Sequence, residues 1–277
     1  MRSMRLTLRA DPLRPEAVSA AAAARLGAAR AIADGPVLLG RVMLYLLALV
    51  VLSALWDKVS AERITALAAT LPPDGLALYF GATEWVILSV VAVQLRLEDD
   101  IRRGQLEPCL LRPKSYLLQR VAPALGEMMV RLVTLGAAGL AAAALAGRQL
   151  PRPEIWPALM LLGSLGAAIG VLLYVLVGLA AFWLRRVLPA TLIMQKLGFV
   201  LGGLFAPISL YPEGLFRFAE TTPFAAHLYW VGVQALTPSI RLFWTGIAWQ
   251  LLWIAVLVLL CALIWRIGLR RVLREGY

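Results

Sequence analysis

The sequence is poor in the side chains that enzymes most often use for nucleophilic and metal-dependent chemistry. It contains a single histidine, His227, and two cysteines, Cys109 and Cys261. One histidine at this position makes neither a Ser-His-Asp nor a Cys-His catalytic arrangement credible. The cysteines lack metal-site spacing, and their positions do not suit a disulfide. The pair Gly-Lys is absent, and with it the G-x-x-x-x-G-K-[ST] phosphate loop. We therefore expect no enzyme activity in this chain and no cofactor bound by it.

Charged residues are also scarce, at 16% of 277 residues, whereas 61% are hydrophobic and the mean hydropathy is +0.80. A water-soluble fold cannot bury this much apolar surface, so a lipid bilayer is the expected solvent. A membrane-spanning helix needs about 20 mostly apolar residues. The segments that meet this need are 36–55, 76–95, 121–146, 157–184, 189–210 and 240–267. They lack the alternation of a lipid-facing strand, so they predict an all-α integral membrane protein with six transmembrane helices.

The chain has 27 lysines and arginines against 16 acidic residues, a net charge of +11, and its basic residues are unevenly distributed. Most of them precede the first span, join spans two and three or four and five, or follow the last span. This bias predicts that both termini and these connections are cytosolic. The basic residues are therefore explained by membrane topology and contact with anionic lipids, and we expect no nucleic-acid partner.

Two segments outside the spans are expected to lie at the membrane surface. Residues 1–35 form an N-terminal cytosolic segment, whose alanine-rich helix over 17–34 is either interfacial or solvated, and residues 36–277 form the membrane domain. The segment before the last span is apolar and rich in proline, which predicts two short re-entrant helices on the outer side. Thr222 followed by Pro223 has the pattern of a helix start, and His227 is expected at the interface.

Ionisable residues within spans are candidates for function, because they usually face a partner or a wet cavity. Glu127 and Arg131 have the spacing of an ion pair on one helix face, which favours a structural role. Glu84 has no local partner and is a candidate for lining a cavity or sensing substrate.

The stretch LEDDIRRGQLEPCLLRPKSYLL, residues 97–118, places acids and bases between two apolar spans. Its acids precede its arginines, as the helix dipole favours, and Gly104 suits a C-terminal cap. Arg112-Pro113 breaks the chain, and Ser115 can cap the next helix. The pattern predicts a rigid, charged elbow at the cytosolic face; the alternative is a solvated loop that carries topology-determining charges.

The run IRRGQLEPCLLRPKSYLLQR, residues 101–120, resembles the membrane subunits of type-2 ABC exporters, in particular a bacterial subgroup whose permeases are encoded in pairs. The pattern I-R-x-G-x-L-x-x-x-L-L-R-P is matched by Ile101, Arg102, Gly104, Leu106, Leu110, Leu111, Arg112 and Pro113. The layout is similar as well: six spans, an interfacial helix first, Trp56 closing span one and a proline-broken segment before span six.

The resemblance implies a permease for efflux in the bacterial cytoplasmic membrane. It implies a dimer with a second permease, identical or related, and two ATPase subunits that bind ATP and magnesium. The elbow would be the coupling helix that contacts the ATPase. Its residues would be Glu98, Asp99, Asp100, Ile101, Arg102, Arg103, Gly104, Leu106, Glu107, Arg112 and Pro113. Candidates for lining the substrate path are Tyr45, Glu84, Trp85 and Phe199.

A secondary transporter driven by an ion gradient is the alternative function. That class often has inverted repeats and paired charges near the membrane centre, and this sequence has no evident repeat and few such charges. A membrane-anchored scaffold is a third possibility, but it leaves the re-entrant helices unexplained. The aromatic, weakly charged spans favour an amphipathic or hydrophobic cargo.

Overall fold

The computed structural model describes residues 13–63, 75–103, 115–146 and 150–275. Within these ranges the regular structure is entirely helical, so the prediction of an all-α protein is confirmed. The helices in chain order are α1 (Leu13–Ala33), α2 (Gly35–Arg63), α3 (Gly75–Ser89), α4 (Gln94–Arg102), α5 (Tyr116–Leu145), α6 (Trp156–Leu179), α7 (Leu188–Leu201), α8 (Glu213–Glu220), α9 (Pro223–His227), α10 (Tyr229–Leu236) and α11 (Ile240–Glu275). Short 3₁₀ turns lie at Pro153–Ile155, Ala180–Phe182 and Ile208–Leu210.

Five helical stretches in the described part of the chain are long and apolar enough to cross a membrane. They are Gly35–Leu55, Gly75–Arg102, Tyr116–Leu145, Pro153–Phe182 and Ile240–Val272. The predicted span over 189–210 is instead the shorter apolar helix α7, whose 14 residues reach only about 21 Å. A hydrocarbon layer is about 30 Å thick. The chain turns soon after α7, where Gly203 has a φ of 75°, a conformation that glycine adopts without steric cost.

The helical stretch Gly75–Arg102 is interrupted between α3 and α4, where residues 90–93 are not helical. Val90, Val91 and Val93 are buried, which allows irregular backbone at membrane depth. The guanidinium of Arg131 donates a hydrogen bond of 2.7 Å to the carbonyl oxygen of Val90 and pairs with Glu127. The predicted pair is therefore confirmed, and it also satisfies a backbone group freed by the interruption.

Helix α6 lies at the centre of the molecule and contacts α3, α4, α5, α9, α10 and α11. Glycines on α6 permit these close approaches. A Cβ atom added at Gly163 would lie 2.7 Å from the ring of Trp85, and one added at Gly178 would lie 2.8 Å from Leu97. Both distances are shorter than van der Waals contact, so larger residues would displace α3 or α4.

Helix α1 packs lengthwise on α5. A Cβ atom at Gly27 would overlap the carbonyl oxygen of Pro123, and one at Gly126 would overlap that of Ala24. The two backbones are thus in direct contact, while Arg25 and Arg30 remain exposed.

The re-entrant segment contains three short helices, α8 to α10, where the sequence predicted two. The predicted helix start at Thr222 is confirmed, because its hydroxyl accepts a hydrogen bond of 3.4 Å from the amide of Ala225. All residues of α10 are buried. The predicted interfacial position of His227 is wrong: its side chain is buried, and its Nδ1–H donates to the carbonyl oxygen of Gly166 over 2.7 Å. Gly170 leaves room for the ring, because a Cβ atom there would lie 2.7 Å from it.

Candidate functional site

Helix α4 is short and amphipathic. Leu97 and Ile101 are buried on one side, where α4 packs against α6 and the Ala180–Phe182 turn. Asp99 and Arg103 are exposed on the other side. The helix therefore presents charge outward while an apolar face fixes it to the membrane domain.

Only half of the predicted charge order along α4 is confirmed: Arg102 lies in the last turn, but the acids do not lie at the N-terminal end. The helix begins at Gln94, and no acidic residue lies in its first turn. The acids instead pair with arginines one turn later: Glu98 lies 3.5 Å from Arg102, and Asp99 lies 3.2 Å from Arg103. The order of acid before base is thus explained by pairs at i and i+4, which stabilise a helix modestly.

Asp100 connects α4 to the start of α5. The hydroxyl of Tyr116 donates to Asp100 Oδ2 over 2.5 Å, and Arg120 Nε lies 2.7 Å from the same oxygen. Asp100 is buried, so its carboxylate needs such partners. We call Asp100, Tyr116 and Arg120 the Asp100 cluster. It joins the two helices that flank residues 104–114.

Further contacts connect this region to the remainder of the molecule. The Tyr116 ring stacks on Trp265 of α11, with centroids 4.7 Å apart and planes at 11°. The guanidinium of Arg102 donates to the carbonyl oxygen of Arg185, between α6 and α7. The base of the predicted elbow therefore contacts the last span and the end of α6.

The structure locates only part of the predicted coupling set. Residues Glu98 to Arg103 lie on or just after α4. The predicted residues outside the described part of the chain are Gly104, Leu106, Glu107, Arg112 and Pro113. Ser115 occupies the N-cap position of α5, but its side chain makes no capping hydrogen bond, contrary to the prediction.

Two of the predicted path residues lie on one cavity. Tyr45 and Trp85 line an apolar cavity of about 860 Å³ between α2, α3, α5 and α6. The Tyr45 hydroxyl donates to the carbonyl oxygen of Gly81 over 3.0 Å, and the Trp85 indole donates to that of Leu132 over 2.7 Å. The sequence had no means of joining them, because they lie on different helices.

The other two path candidates lie elsewhere. Glu84 is half-buried on α3, but it is not part of the cavity wall. Within the described residues it has no ion-pair partner. Phe199 lies on α7, is 39% exposed and contacts the ammonium of Lys196 at 5.4 Å from the ring centroid. The four candidates therefore do not form one surface within this chain.

Sequence reasoning missed three polar side chains: Tyr116, Arg120 and Gln250. Tyr116 and Arg120 follow the charged stretch, but only the fold places them on Asp100. Gln250, a polar residue in an apolar span, was a visible signal: its amide donates to the carbonyl oxygens of Leu162 and Ala226, at 3.0 and 3.1 Å. In the ranges that the structure covers, no group of three or more His, Cys, Asp or Glu side chains could hold a metal.

Comparison with known proteins agrees with this architecture. The chain matches the family model described as ABC-2 family transporter protein over residues 76–276, which is more than half of its length. No curated protein matches it. The matched region begins in α3, includes the Asp100 cluster and extends through α11. With several apolar helices of spanning length, the chain is a multi-pass membrane protein. It belongs to the ABC-2 family of transporter proteins and is a permease subunit of an ABC transporter.

Proposed function

We propose that this permease works in an ATP-driven exporter and couples to separate ATPase subunits through α4 and the connection that follows it. The observation that carries the proposal is the Asp100 cluster. It holds the two helices that flank the connection against each other, so a force applied to the connection reaches both helices.

The exposed face of α4 supplies a surface for the ATPase. Asp99 and Arg103 are exposed and paired with each other only locally. Charges of both signs on a short, fixed helix give orientation and specificity to a subunit contact. The buried face keeps the helix from turning when it is loaded.

The packing of α4 supplies a route into the membrane domain. Leu97 lies against Gly178, where no space remains for a Cβ atom, so a displacement of α4 moves α6 as well. Helix α6 in turn packs along α11 and contacts α3. Close-packed interiors transmit displacement because they have few voids to absorb it.

The complete exporter would contain two ATPase subunits, which bind ATP and magnesium, and a second permease, identical or related to this one. It would lie in the bacterial cytoplasmic membrane with both termini in the cytosol, as the charge distribution predicts. Exposed apolar side chains on α2 and α7 provide surface for a second permease or for lipid. Tyr45, Glu84, Trp85 and Phe199 remain candidates for the substrate path.

One observation favours the alternative of an ion-driven transporter. Glu84 is a half-buried carboxyl group within a span and has no ion-pair partner among the described residues. Such groups are common in proton relays.

Purification in mild detergent from the native host tests the proposal. We expect an ATP-hydrolysing subunit to co-purify, and the complex in proteoliposomes to hydrolyse ATP without an imposed ion gradient. Repeated recovery of the permease with no ATPase would contradict the proposal, and a response to a proton gradient that Glu84→Gln abolishes would favour the alternative.

A further inference from the structure

The apolar cavity offers an occupant an almost entirely apolar lining. Its lining contains no charged residue. Its polar side chains already donate to backbone carbonyl oxygens: Ser53 to Val50, Trp156 to Pro151, and Tyr45 and Trp85 as described above. A cavity of this kind does not hold a water cluster, because water needs polar partners. It suits a hydrocarbon group.

The cavity opens toward lipid rather than toward water. Helices α2 and α5 meet at Tyr45 and Gly139, where a Cβ atom would lie 2.6 Å from the hydroxyl. Val50 on α2 and Val133 on α5 belong to the wall and are 65% and 58% exposed. Both helices are long and apolar enough to span a membrane, so these exposed edges face lipid tails.

A second cavity of about 700 Å³ adjoins the first and differs in character. The two share Leu78, Pro151 and Ala235 as walls. The second, which we call the polar cavity, is lined by Arg152 and Glu154, both exposed and without an ion-pair partner in the described ranges.

The junction of the two cavities has the composition of a membrane–water interface. Trp156 lines the apolar cavity, and its indole donates to the carbonyl oxygen of Pro151, which lines both. Tryptophan is enriched at the depth of lipid headgroups. An occupant would therefore have its tail on one side of Pro151 and its headgroup on the other.

We infer that the two cavities together bind one membrane phospholipid that carries a phosphate and an ammonium group. One acyl chain occupies the apolar cavity, whose volume lies within the range of ligand sites. Arg152 pairs with the phosphate, and Glu154 pairs with the ammonium group. The inference concerns this chain alone and does not depend on the coupled ATPase.

Photo-crosslinking tests the tail. The purified full-length chain is placed in phosphatidylglycerol nanodiscs, whose lipid lacks an ammonium group, that contain phosphatidylethanolamine with a diazirine in one acyl chain. Labelled residues are mapped by mass spectrometry. We expect labels on both walls, between Leu46 and Ala54 on α2 and between Ala142 and Ala146 on α5.

Ala143→Phe is the test variant, because Ala143 lines the cavity. Ala144→Phe is the matched control, because Ala144 is exposed and does not line the cavity. The ring displaces about two methylene groups of the tail, so we expect roughly tenfold less labelling of α2 in Ala143→Phe and no change in the control. If Ala143→Phe does not fold, Ala54→Phe on the opposite wall replaces it.

Competition tests the headgroup. Unlabelled phosphatidylethanolamine should displace the probe better than diacylglycerol does, and Arg152→Gln or Glu154→Gln should reduce this preference. Equal competition by both lipids with no effect of either variant would overturn the headgroup assignment. Labels confined to residues outside the cavity, or lost whenever a second permease is present, would overturn the site.

Discussion

Two regions of this protein hold their helices together with polar side chains, but they use different groups. Around α4 the contact between helices is between charged residues: Asp100 of α4 pairs with Arg120 of α5. Between α6, α9 and α11 the contacts are between neutral side chains and backbone carbonyl oxygens. We call the side chains of His227 and Gln250, together with the carbonyls that they contact, the polar seam.

The difference follows from the surroundings of each region. Arg120 is partly exposed and keeps part of its hydration, and the buried Asp100 carboxylate is compensated by two hydrogen-bonding partners. The polar seam lies where α6 and α11, two helices of spanning length, cross α9. A charge at that depth is costly, whereas a neutral donor that reaches a carbonyl oxygen is not. The polar seam can therefore fix a structure, while the charged face of α4 remains available to a partner.

The largest effect is expected from a substitution that separates the helices of the polar seam. A Cβ atom at Gly166 would lie 2.5 Å from the carbonyl oxygen of His227, so Gly166→Val should destabilise the protein by about 3 kcal/mol. Thermal unfolding in detergent measures this. Gly40→Val on α2 is the control, because nothing lies within 4 Å of its added Cβ atom. Equal melting of the two variants would mean that α9 does not rest on α6 as described.

A smaller but functional effect is expected from the Asp100 cluster. Asp100→Asn removes the negative partner of Arg120 and should destabilise the protein by about 2 kcal/mol. It should also reduce ATP hydrolysis by the assembled complex, because α4 and α5 are then less firmly joined. Glu213→Gln on α8 is the matched control, since its pair with Arg217 is exposed, contributes little and lies outside the proposed docking surface. An unchanged rate of ATP hydrolysis by the complex that contains Asp100→Asn would contradict a role of the Asp100 cluster in coupling.

Removal of a neutral hydrogen-bonding group from the polar seam should lower the free energy of unfolding less than removal of a charge from the Asp100 cluster. Gln250→Leu keeps the volume and loses two bonds to carbonyl oxygens, and interhelical bonds in membranes average about 0.6 kcal/mol. We expect a small fall in unfolding temperature and unchanged ATPase binding. A loss larger than that of Asp100→Asn would reverse the comparison between the two regions.

The smallest effect on stability, with a clear effect on association, is expected at the exposed end of α4. Arg103→Gln should change the free energy of unfolding by less than about 0.5 kcal/mol. It should nevertheless weaken binding of the ATPase and make that binding less sensitive to salt. Arg217→Gln is the matched control, because Arg217 makes the same i, i+4 pair with Glu213 on α8. Binding measured at two ionic strengths decides the point, and equal behaviour of both variants would contradict the docking surface.

Local patterns in the sequence predicted local structure well. The apolar segments indicated helices, the spacing of Glu127 and Arg131 indicated their pair, and Thr222 before Pro223 indicated a helix start. Each of these depends on residues within a turn or a span of one another. The motif at 101–120 similarly indicated the family, which the match over 76–276 confirms.

The misplaced features depend on contacts between distant segments. His227 was expected at an interface because it lies on a helix predicted at the outer side. Its ring instead donates to the carbonyl oxygen of Gly166, and Gly170, far away in the sequence, provides the space that buries the ring. The sequence predicted a full span over 189–210 because this segment is apolar to its end. The chain instead turns at Gly203, whose carbonyl oxygen accepts a hydrogen bond from the Tyr79 hydroxyl.

Hydrophobicity and charge along the chain alone determined that this protein is a helical membrane protein with a charged connection after its second span. Such properties are sums over neighbouring residues, and a bilayer selects for them directly. The tertiary structure decided which side chains meet: Asp100 with Tyr116 and Arg120, Tyr45 with Trp85 around one cavity, and Gln250 with α6 and α9. These contacts require two helices to cross at a particular depth and rotation, which depends on the packing of small residues from several helices at once.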